Sequence, residues 1–468
     1  MKILFLVHDC ITVPLGVSYL AAQAREKGHL VKALSLTGRG IEQEISEYQP
    51  DVIGFGSTTG FHRHYLKLMK PIREKLNIPV IMGGAHPTFF PEVMEENEWL
   101  DYAMRGEADH AFPMFIDALE GRIPFESVGN LIYRNNGEIT ENPMLPLVND
   151  LDTIPFPERN MLTGANQHAV FCITSRGCPY NCTYCFNRSY NELYSGLGRY
   201  CRRRSVDNVI QELLEMKQMN PKLQMIVFQD DIFILDHGWI REFCDKYPQK
   251  IGLPFHCHLR ANLVTQEVVD LLDKAGCISA KMAIETAIPR LRNEVLGRDM
   301  NCEVLKNAFE ALSKTGIKLI TQNILGIPTS TLEDDLATLD LNCRAKPAFA
   351  FATLLQPYPK TEISRFCLEN NLIDGDEIIP DSFFDDIVVK IDDIQKRKRL
   401  RQLFALGIEF SLIRRMIPFL IKLPFDGLYS FLDKLWKGYC IKQREFPYKL
   451  SFAEYLSNVG SYFRSRYY

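Results

Sequence analysis

The hydrophobic pattern of the first third of the chain alternates between two periods. Short continuous apolar runs (KILFLV from residue 2, LVKALSL from 30, DVIGFGS from 51, PVIMGG from 79, YAMRGE from 102) stand between stretches whose apolar positions recur at helical spacing. Helices are predicted over 16–27, ending at Gly28, and over 41–48, 61–76, 91–97 and 109–119. Unbroken apolar strands suit burial on both faces, so residues 1–145 read as an α/β, doubly wound, Rossmann-like parallel sheet. Such sheets take ligands beyond the carboxyl ends of their strands; here those ends are HDC, GSTTG, GGAHPT and GEAD. NLIYRNNGEIT reads as a hairpin turning at Asn136-Gly137.

Pro143 to Arg159 holds four prolines without periodicity and reads as the interdomain linker, placed at 146–168. A second alternation begins at AVFCITS (169) and runs through MIVFQDD, PFHCHLR, ISAKMAIE, IKLITQNILGIP and FAFATLLQPYP. Helices are predicted between them over 207–219, 238–246, 266–275, 302–315 and 332–343. Six βα units predict a partial or full TIM-like (βα)6 barrel over 169–368, with its site at the strand carboxyl ends. From Glu369 to the end the chain reads as a helical C-terminal domain. Within it, Lys396–Trp436 interleaves KRKRLR and RR with Phe, Ile and Leu. That suits either a cap packed over the barrel mouth or a peripheral membrane contact through residues 396–436, the latter implying a lipid substrate. SYFRSRYY at the terminus has no assigned role.

Composition narrows the field modestly. The 468 residues allow two or three domains, and 46% hydrophobic with 24% charged residues is ordinary for a soluble globular protein. A net charge of −4 makes no electrostatic case for nucleic acid. No apolar run reaches the length of a membrane span, and MKILFLVHDC reads as a first strand rather than a secretory signal. Of thirteen cysteines ten are scattered singly, as small buried hydrophobes would be, which points to a reducing cytoplasm.

The other three are Cys178, Cys182 and Cys185, spaced C-x-x-x-C-x-x-C. Three is one short of a closed structural zinc site, for which only His168 lies near, and odd for disulfide pairing. Iron–sulfur ligation fits better: a four-iron cluster on three thiolates leaves one iron open to another ligand. The string CPYNCTYC, with Tyr184 in the aromatic slot after a first strand, resembles the signature of the radical S-adenosylmethionine enzymes. The resemblance implies a [4Fe-4S] cluster on Cys178, Cys182 and Cys185. Its open iron binds the amino and carboxylate groups of S-adenosylmethionine, which an electron cleaves to a 5′-deoxyadenosyl radical.

Further positions follow from the same resemblance. Tyr184 and Phe186 would flank S-adenosylmethionine, Asp230 or Asp231 would take its ammonium, and Arg260 and Asn262, with His258, would meet its carboxylate or ribose. Glu285 fills the acidic slot of a G-I-E-S-G-like segment in which Ala283 and Thr286 depart from the pattern. Gly326 and Pro328 would line adenine, and QPYPKT resembles PYPGT with Lys360 at the glycine. Ordinary alternatives stand beside these: a solvated Asp pair, a salt bridge at Arg260, a core-capping Glu285, a Thr-capped turn at NILGIPTST.

The first domain resembles the cobalamin-binding domain that precedes the radical domain in one large subgroup, through VPLGVSYLAAQAREKGHLV, PDVIGFGSTT, VIMGGAHPT and MRGEAD. The likeness covers residues 1 to about 365. It implies cobalamin contacts at Leu15, Gly16, Ser57, Thr58, Gly83, Gly84 and Glu107. The two glycines would admit a bulky ligand close to the backbone. The D-x-H-x-x-G string that supplies a histidine to cobalt is absent, as is common in the subgroup, so cobalamin is expected without a histidine lower ligand. His62, His64 and His86 read as surface or loop histidines. A domain that keeps the fold and binds nothing is the alternative.

The resemblance implies a cobalamin-dependent methyltransferase acting on an unactivated carbon of a small molecule or lipid, reduced by a flavodoxin or ferredoxin. Three rivals remain: a cyclase, ring-rearranging or carbon–carbon-coupling enzyme without methyl transfer; a radical enzyme whose first domain is a scaffold; and a non-catalytic zinc or iron–sulfur protein.

Overall fold

The computed structural model describes residues 1–8, 14–36, 38, 40–135, 137–161, 168–375, 378–380, 384, 386–451 and 454–455. Residue 136 of the expected hairpin turn, residues 9–13 of HDCITVPLG and the terminal SYFRSRYY lie outside them. Two compact units emerge: Met1–Asn166 with Tyr190–Arg202, and Gln167–Ser189 with Arg203–Tyr468.

The first unit is built on β1 (Lys2–Val7), β2 (Leu30–Ser35), β3 (Val52–Gly56), β4 (Val80–Gly83), β5 (Tyr102–Met104), β6 (Leu131–Asn135) and β7 (Glu138–Glu141), in the order 2-1-3-4-5-6-7. β1 to β5 pair in parallel, and the hairpin of β6 and β7 adds two antiparallel strands at the edge. Alternate residues of β1 serve two cores. Ile3 and Phe5 pack with Phe112 and Phe115 on one face; Leu4 and Leu6 pack with Tyr65 and Met69 on the other. That two-sided burial is why the strands read as continuous apolar runs. Strand order reverses between β1 and β3, so the switch-point crevice opens beyond Val7 and Gly56. The helices fall close to expectation, except that 91–97 shrinks to Val93–Glu96 and an unforeseen helix, Ala85–Phe89, follows β4.

The proline-rich stretch expected as a linker is laid along this unit instead. Its apolar residues Leu147, Val148, Leu151 and Ile154 are buried, and its backbone bonds link Leu147 to Leu197 and Glu158 to Ser18. Prolines exclude ladder pairing, but they do not prevent burial of the side chains between them.

In the second unit β8 (Ala169–Cys172) is followed by the two-residue strands β9 (Ser175–Arg176) and β10 (Arg202–Arg203), then by β11 (Met225–Phe228), β12 (Phe255–Leu259), β13 (Cys277–Glu285), β14 (Lys318–Leu325) and β15 (Phe349–Leu354). β8 and β11 to β15 form one all-parallel sheet in the order 15-14-13-12-11-8, with β8 and β15 at its edges: an open (βα)6 partial barrel. Its crossover helices start where the sequence supplies caps. Ser205, Asp236, Thr265 and Asn301 each accept from a backbone N–H three residues on, and Thr331 forms a capping box with Asp334.

The C-terminal region is not a separate domain. Leu400, Leu403, Phe404 and Ile417 share a core with Leu325, Ala350 and Leu354 of the barrel. The basic run on helix Ile394–Glu409 is neutralised internally: Arg397 pairs with Asp335 and Arg401 with Asp433, each at 2.6 Å and buried, and Arg399 pairs with Asp426 at 2.9 Å. The KRKRLR part of the membrane contact expected over 396–436 is therefore spent on the protein's own carboxylates. Among the described residues no helix is long and apolar enough to cross a membrane.

Candidate active site

The cysteine loop lies beyond the carboxyl end of β8, between β9 and helix Phe186–Leu193. It is clamped from both sides. Thr183 donates through its N–H to the Leu296 carbonyl (3.1 Å) and through Oγ1 to that of Val295 (2.7 Å), and its own carbonyl accepts from Ile363 N–H (2.9 Å). Gly297 sits so close beneath that a Cβ there would stand 3.2 Å from the Asn181 carbonyl oxygen and 3.2 Å from Thr183 Cγ2. Burial, aided by the Asp231 charge, pushes the Cys178 thiol up to about 12 and that of Cys185 up to about 11. These are not free nucleophiles; soft cations, which displace thiol protons, are the partners they suit. Arg260 sets a guanidinium nitrogen 3.7 Å from Cys182 Sγ. Among the described residues no three His, Cys, Asp or Glu side chains form a group suited to one metal ion. His168 bonds Gln224 and Glu454 instead. The donor set fits a multi-iron cluster on three thiolates better than a mononuclear zinc.

Asp230 and Asp231 have parted roles. The carboxylate of Asp230 is buried and accepts from the Thr174 N–H (3.1 Å), the Thr174 hydroxyl (2.7 Å) and the Ser175 hydroxyl, tying the entry to the cysteine loop to β11. Asp231 is exposed and, among the described residues, accepts from Asn187 Nδ2 (3.1 Å), so of the two it keeps capacity for a cationic ligand group.

A buried triad stands behind the loop. Tyr184 Oη donates to Glu285 Oε1 (2.7 Å), and Arg298 donates through Nη1 to both (2.8 and 2.9 Å) and through Nη2 to the Ala283 carbonyl (3.0 Å). Burial pushes the Glu285 carboxyl up while Arg298 and Tyr184 oppose it; Arg298 is held above its ordinary value by Tyr184 and Glu285 against its own desolvation. Glu285 ends β13 with φ 64°, where the register with β14 slips. Arg260 stacks on the Tyr180 ring at 3.5 Å and donates to the Arg298 carbonyl, while Asn262 donates to Tyr180 Oη (2.9 Å). Arg260 and Asn262 thus brace the loop through Tyr180. Arg298 and Tyr180 were not singled out from sequence. Arg298 meets Glu285 only because the π-helical turn Leu291–Val295 returns the chain.

Beyond β14, Gly326 donates to Asp335, the partner of Arg397, and a Cβ on it would stand 2.6 Å from Ile387 Cδ1. Pro328 is buried in the same turn. Phe186 packs against Tyr358 with ring centroids 5.8 Å apart. Lys360 adopts φ 66°, the left-handed backbone for which glycine is favoured.

Comparison with known proteins bears on this arrangement. The family model of the Radical SAM superfamily matches residues 172–341, and that of the B12 binding domain matches residues 1–116. The chain is 30% identical over 375 residues to the uncharacterised methyltransferase PH0819 of Pyrococcus horikoshii, covering 77% of this chain and 79% of that protein. The chain belongs to the radical S-adenosylmethionine enzymes that carry a cobalamin-binding domain. Cytidylyl-2-hydroxyethylphosphonate methyltransferase of Streptomyces wedmorensis is 23% identical over 85% of this chain and 86% of that protein. The structure of the methyltransferase TsrM of Kitasatospora setae, with cobalamin and a [4Fe-4S] cluster bound, shares the fold at a TM-score of 0.65 and 17% identity, covering 79% of this chain and 78% of that one.

In this cobalamin-domain radical S-adenosylmethionine enzyme, the residues expected at the first unit's crevice divide. Gly16 and Gly83 have nothing within 4 Å of where a Cβ would stand, which leaves room for a ligand. Leu15 opens the helix Leu15–Glu26, and Thr58 is exposed. Gly84 is required for a different reason: at φ 93° its Cβ would stand 2.8 Å from the Ser57 carbonyl oxygen, so Ser57 and Gly84 lock two strand ends together. Glu107 is an anchor, its carboxylate gripped by Arg202 (2.9 Å) and its backbone N–H donating to Tyr194 Oη (2.7 Å). His86 is not on the surface. It is buried, stacks on His62 at 3.5 Å between ring centroids and meets Thr59 Oγ1 at 3.2 Å.

Proposed function

We propose that this enzyme is a cobalamin-dependent C-methyltransferase that acts on an unactivated carbon of a small molecule or lipid. The observation that carries the reading is one chain holding both a three-cysteine loop and a parallel sheet unit whose glycines Gly16 and Gly83 have nothing within 4 Å of where a Cβ would stand. When bound, the cluster supplies the electron that cleaves S-adenosylmethionine, and cobalamin supplies a methyl group. The protein's part is holding and orientation. Cys178, Cys182 and Cys185 would ligate three irons. The Tyr184–Glu285–Arg298 triad fixes the floor of the loop, and Asp231 offers a carboxylate to the ammonium of S-adenosylmethionine. Leu15, Gly16, Gly83 and Thr58 would border cobalamin. A flavodoxin- or ferredoxin-like donor in a cytoplasmic setting completes the reading.

The test is anaerobic incubation with methyl-labelled S-adenosylmethionine and a small-molecule and lipid extract. Label in a carbon-bound methyl group of the product supports methylation; 5′-deoxyadenosine with no label transfer supports cyclisation or coupling instead. Cys178→Ala is expected to abolish cluster iron and 5′-deoxyadenosine while leaving corrinoid binding intact. Deoxyadenosine production retained by that variant would refute the assignment.

A further inference from the structure

The helices that close the chain carry apolar stripes on the side turned away from the protein. In Ser411–Leu420, Ile413 and Ile417 face the core, while Leu412, Met416 and Phe419 are exposed at spacings of four and three. In Asp426–Cys440, Tyr429, Asp433 and Cys440 face inward, while Leu428, Phe431 and Leu435 are exposed at the same kind of spacing. Phe419 and Phe431 are 59% and 52% exposed. Elsewhere the exposed large apolar residues stand apart in the sequence, as Leu30, Met219 and Ile378 do. Two exposed apolar stripes at helical spacing, on successive helices, mark an interaction surface rather than ordinary surface scatter.

Charge selects what covers it. Between Phe410 and Tyr439 the only acidic residues are Asp426 and Asp433, and both are held by arginines of helix Ile394–Glu409. The exposed Arg415 and Lys422 have no acidic partner among the described residues. Within this segment the face is therefore apolar and cationic, and both of its carboxylates are already paired. A second copy would bring the same cations against these. An anionic bilayer surface supplies both missing complements, acyl chains for the stripes and headgroup phosphates for Arg415 and Lys422.

We propose that residues 410–439 dock the enzyme on an anionic membrane surface, with Leu412, Phe419, Leu428 and Phe431 inserted at the interface. This differs from a contact centred on the 396–401 run, whose cations are paired inside the protein. The inference stands whether or not the methyltransferase reading holds.

The test is co-flotation of the full-length protein with phosphatidylcholine vesicles, with and without added phosphatidylglycerol. Binding to the anionic vesicles is expected, weakened by salt, and reduced about tenfold or more by Phe419→Glu with Phe431→Glu. Arg415→Glu with Lys422→Glu is expected to weaken it comparably without touching an apolar residue. All four side chains are exposed, so both variants should keep the wild-type circular dichroism and melting temperature. No flotation with either vesicle, or flotation unchanged by both variants, overturns the proposal. So does a concentration-dependent dimer in sedimentation velocity that Phe419→Glu with Phe431→Glu dissociates, which would give the face to a second copy.

Discussion

At the residue scale, the site depends on a few buried charges. Glu285 and Arg298 are both almost wholly buried, 2.9 Å apart, with Tyr184 bridging them. Removing one member of such a pair leaves the other charge unmatched in a low-dielectric interior, at a cost of about 3 kcal/mol or more. Arg298→Met is therefore expected to lower stability by about that amount in denaturant unfolding; a loss below about 1 kcal/mol would mean that the triad is peripheral. His62 adds a pH dependence in the first unit. Burial, with a smaller push from Arg63, holds its imidazole down to about 4, against 6.5 ordinarily, so the folded state keeps it neutral. The unfolded chain takes up the proton first, so this stability is complete above about pH 6.5 and is lost as pH falls toward 4. Urea midpoints at pH 7 and pH 5 should show the drop, and His62→Asn should flatten it; an equal drop in that variant would contradict the assignment.

At the element scale, strands and most helices were legible because each has a clean period, and the crossover helices of the second unit add caps at Ser205, Thr265 and Thr331. Tertiary return of the chain was not legible. Nothing local marks Arg298 as the partner of Glu285, or Arg202 as that of Glu107, because each pair depends on where a later turn comes back. Nor did the glycine pattern reveal that Gly84 serves Ser57 rather than a ligand. Two backbone substitutions test these placements. Lys360→Gly should stabilise by about 0.5 kcal/mol, since the relief of a left-handed side chain exceeds the added freedom of the unfolded state. Gly84→Ala should destabilise by about 2 kcal/mol or more, because the obstacle is backbone. Thermal or denaturant unfolding reads both, and a sign reversal in either would contradict the turn geometry described.

At the scale of the whole molecule, two parallel α/β units on one chain were readable from alternation alone, while the borders between units were not. The prolines after Pro143 looked like a tether, yet buried Leu147 and Ile154 bind that stretch to the first unit. The basic helix suited either a cap packed on the barrel or a membrane contact; Asp335 and Asp433 draw Arg397 and Arg401 inward and merge the C-terminal helices with the barrel core. Side-chain pairing decides such questions, and one sequence does not display it. What sequence carried best was chemistry: three thiols on one loop, one short of closing a four-iron cluster. The most direct measurement of that claim is the electron paramagnetic resonance spectrum of the reconstituted, reduced protein before and after S-adenosylmethionine is added. A four-iron signal that changes on addition is the result expected if an iron is open to the nucleotide. A signal that stays the same at saturating S-adenosylmethionine would mean that the protein itself fills the fourth corner, and would contradict the account.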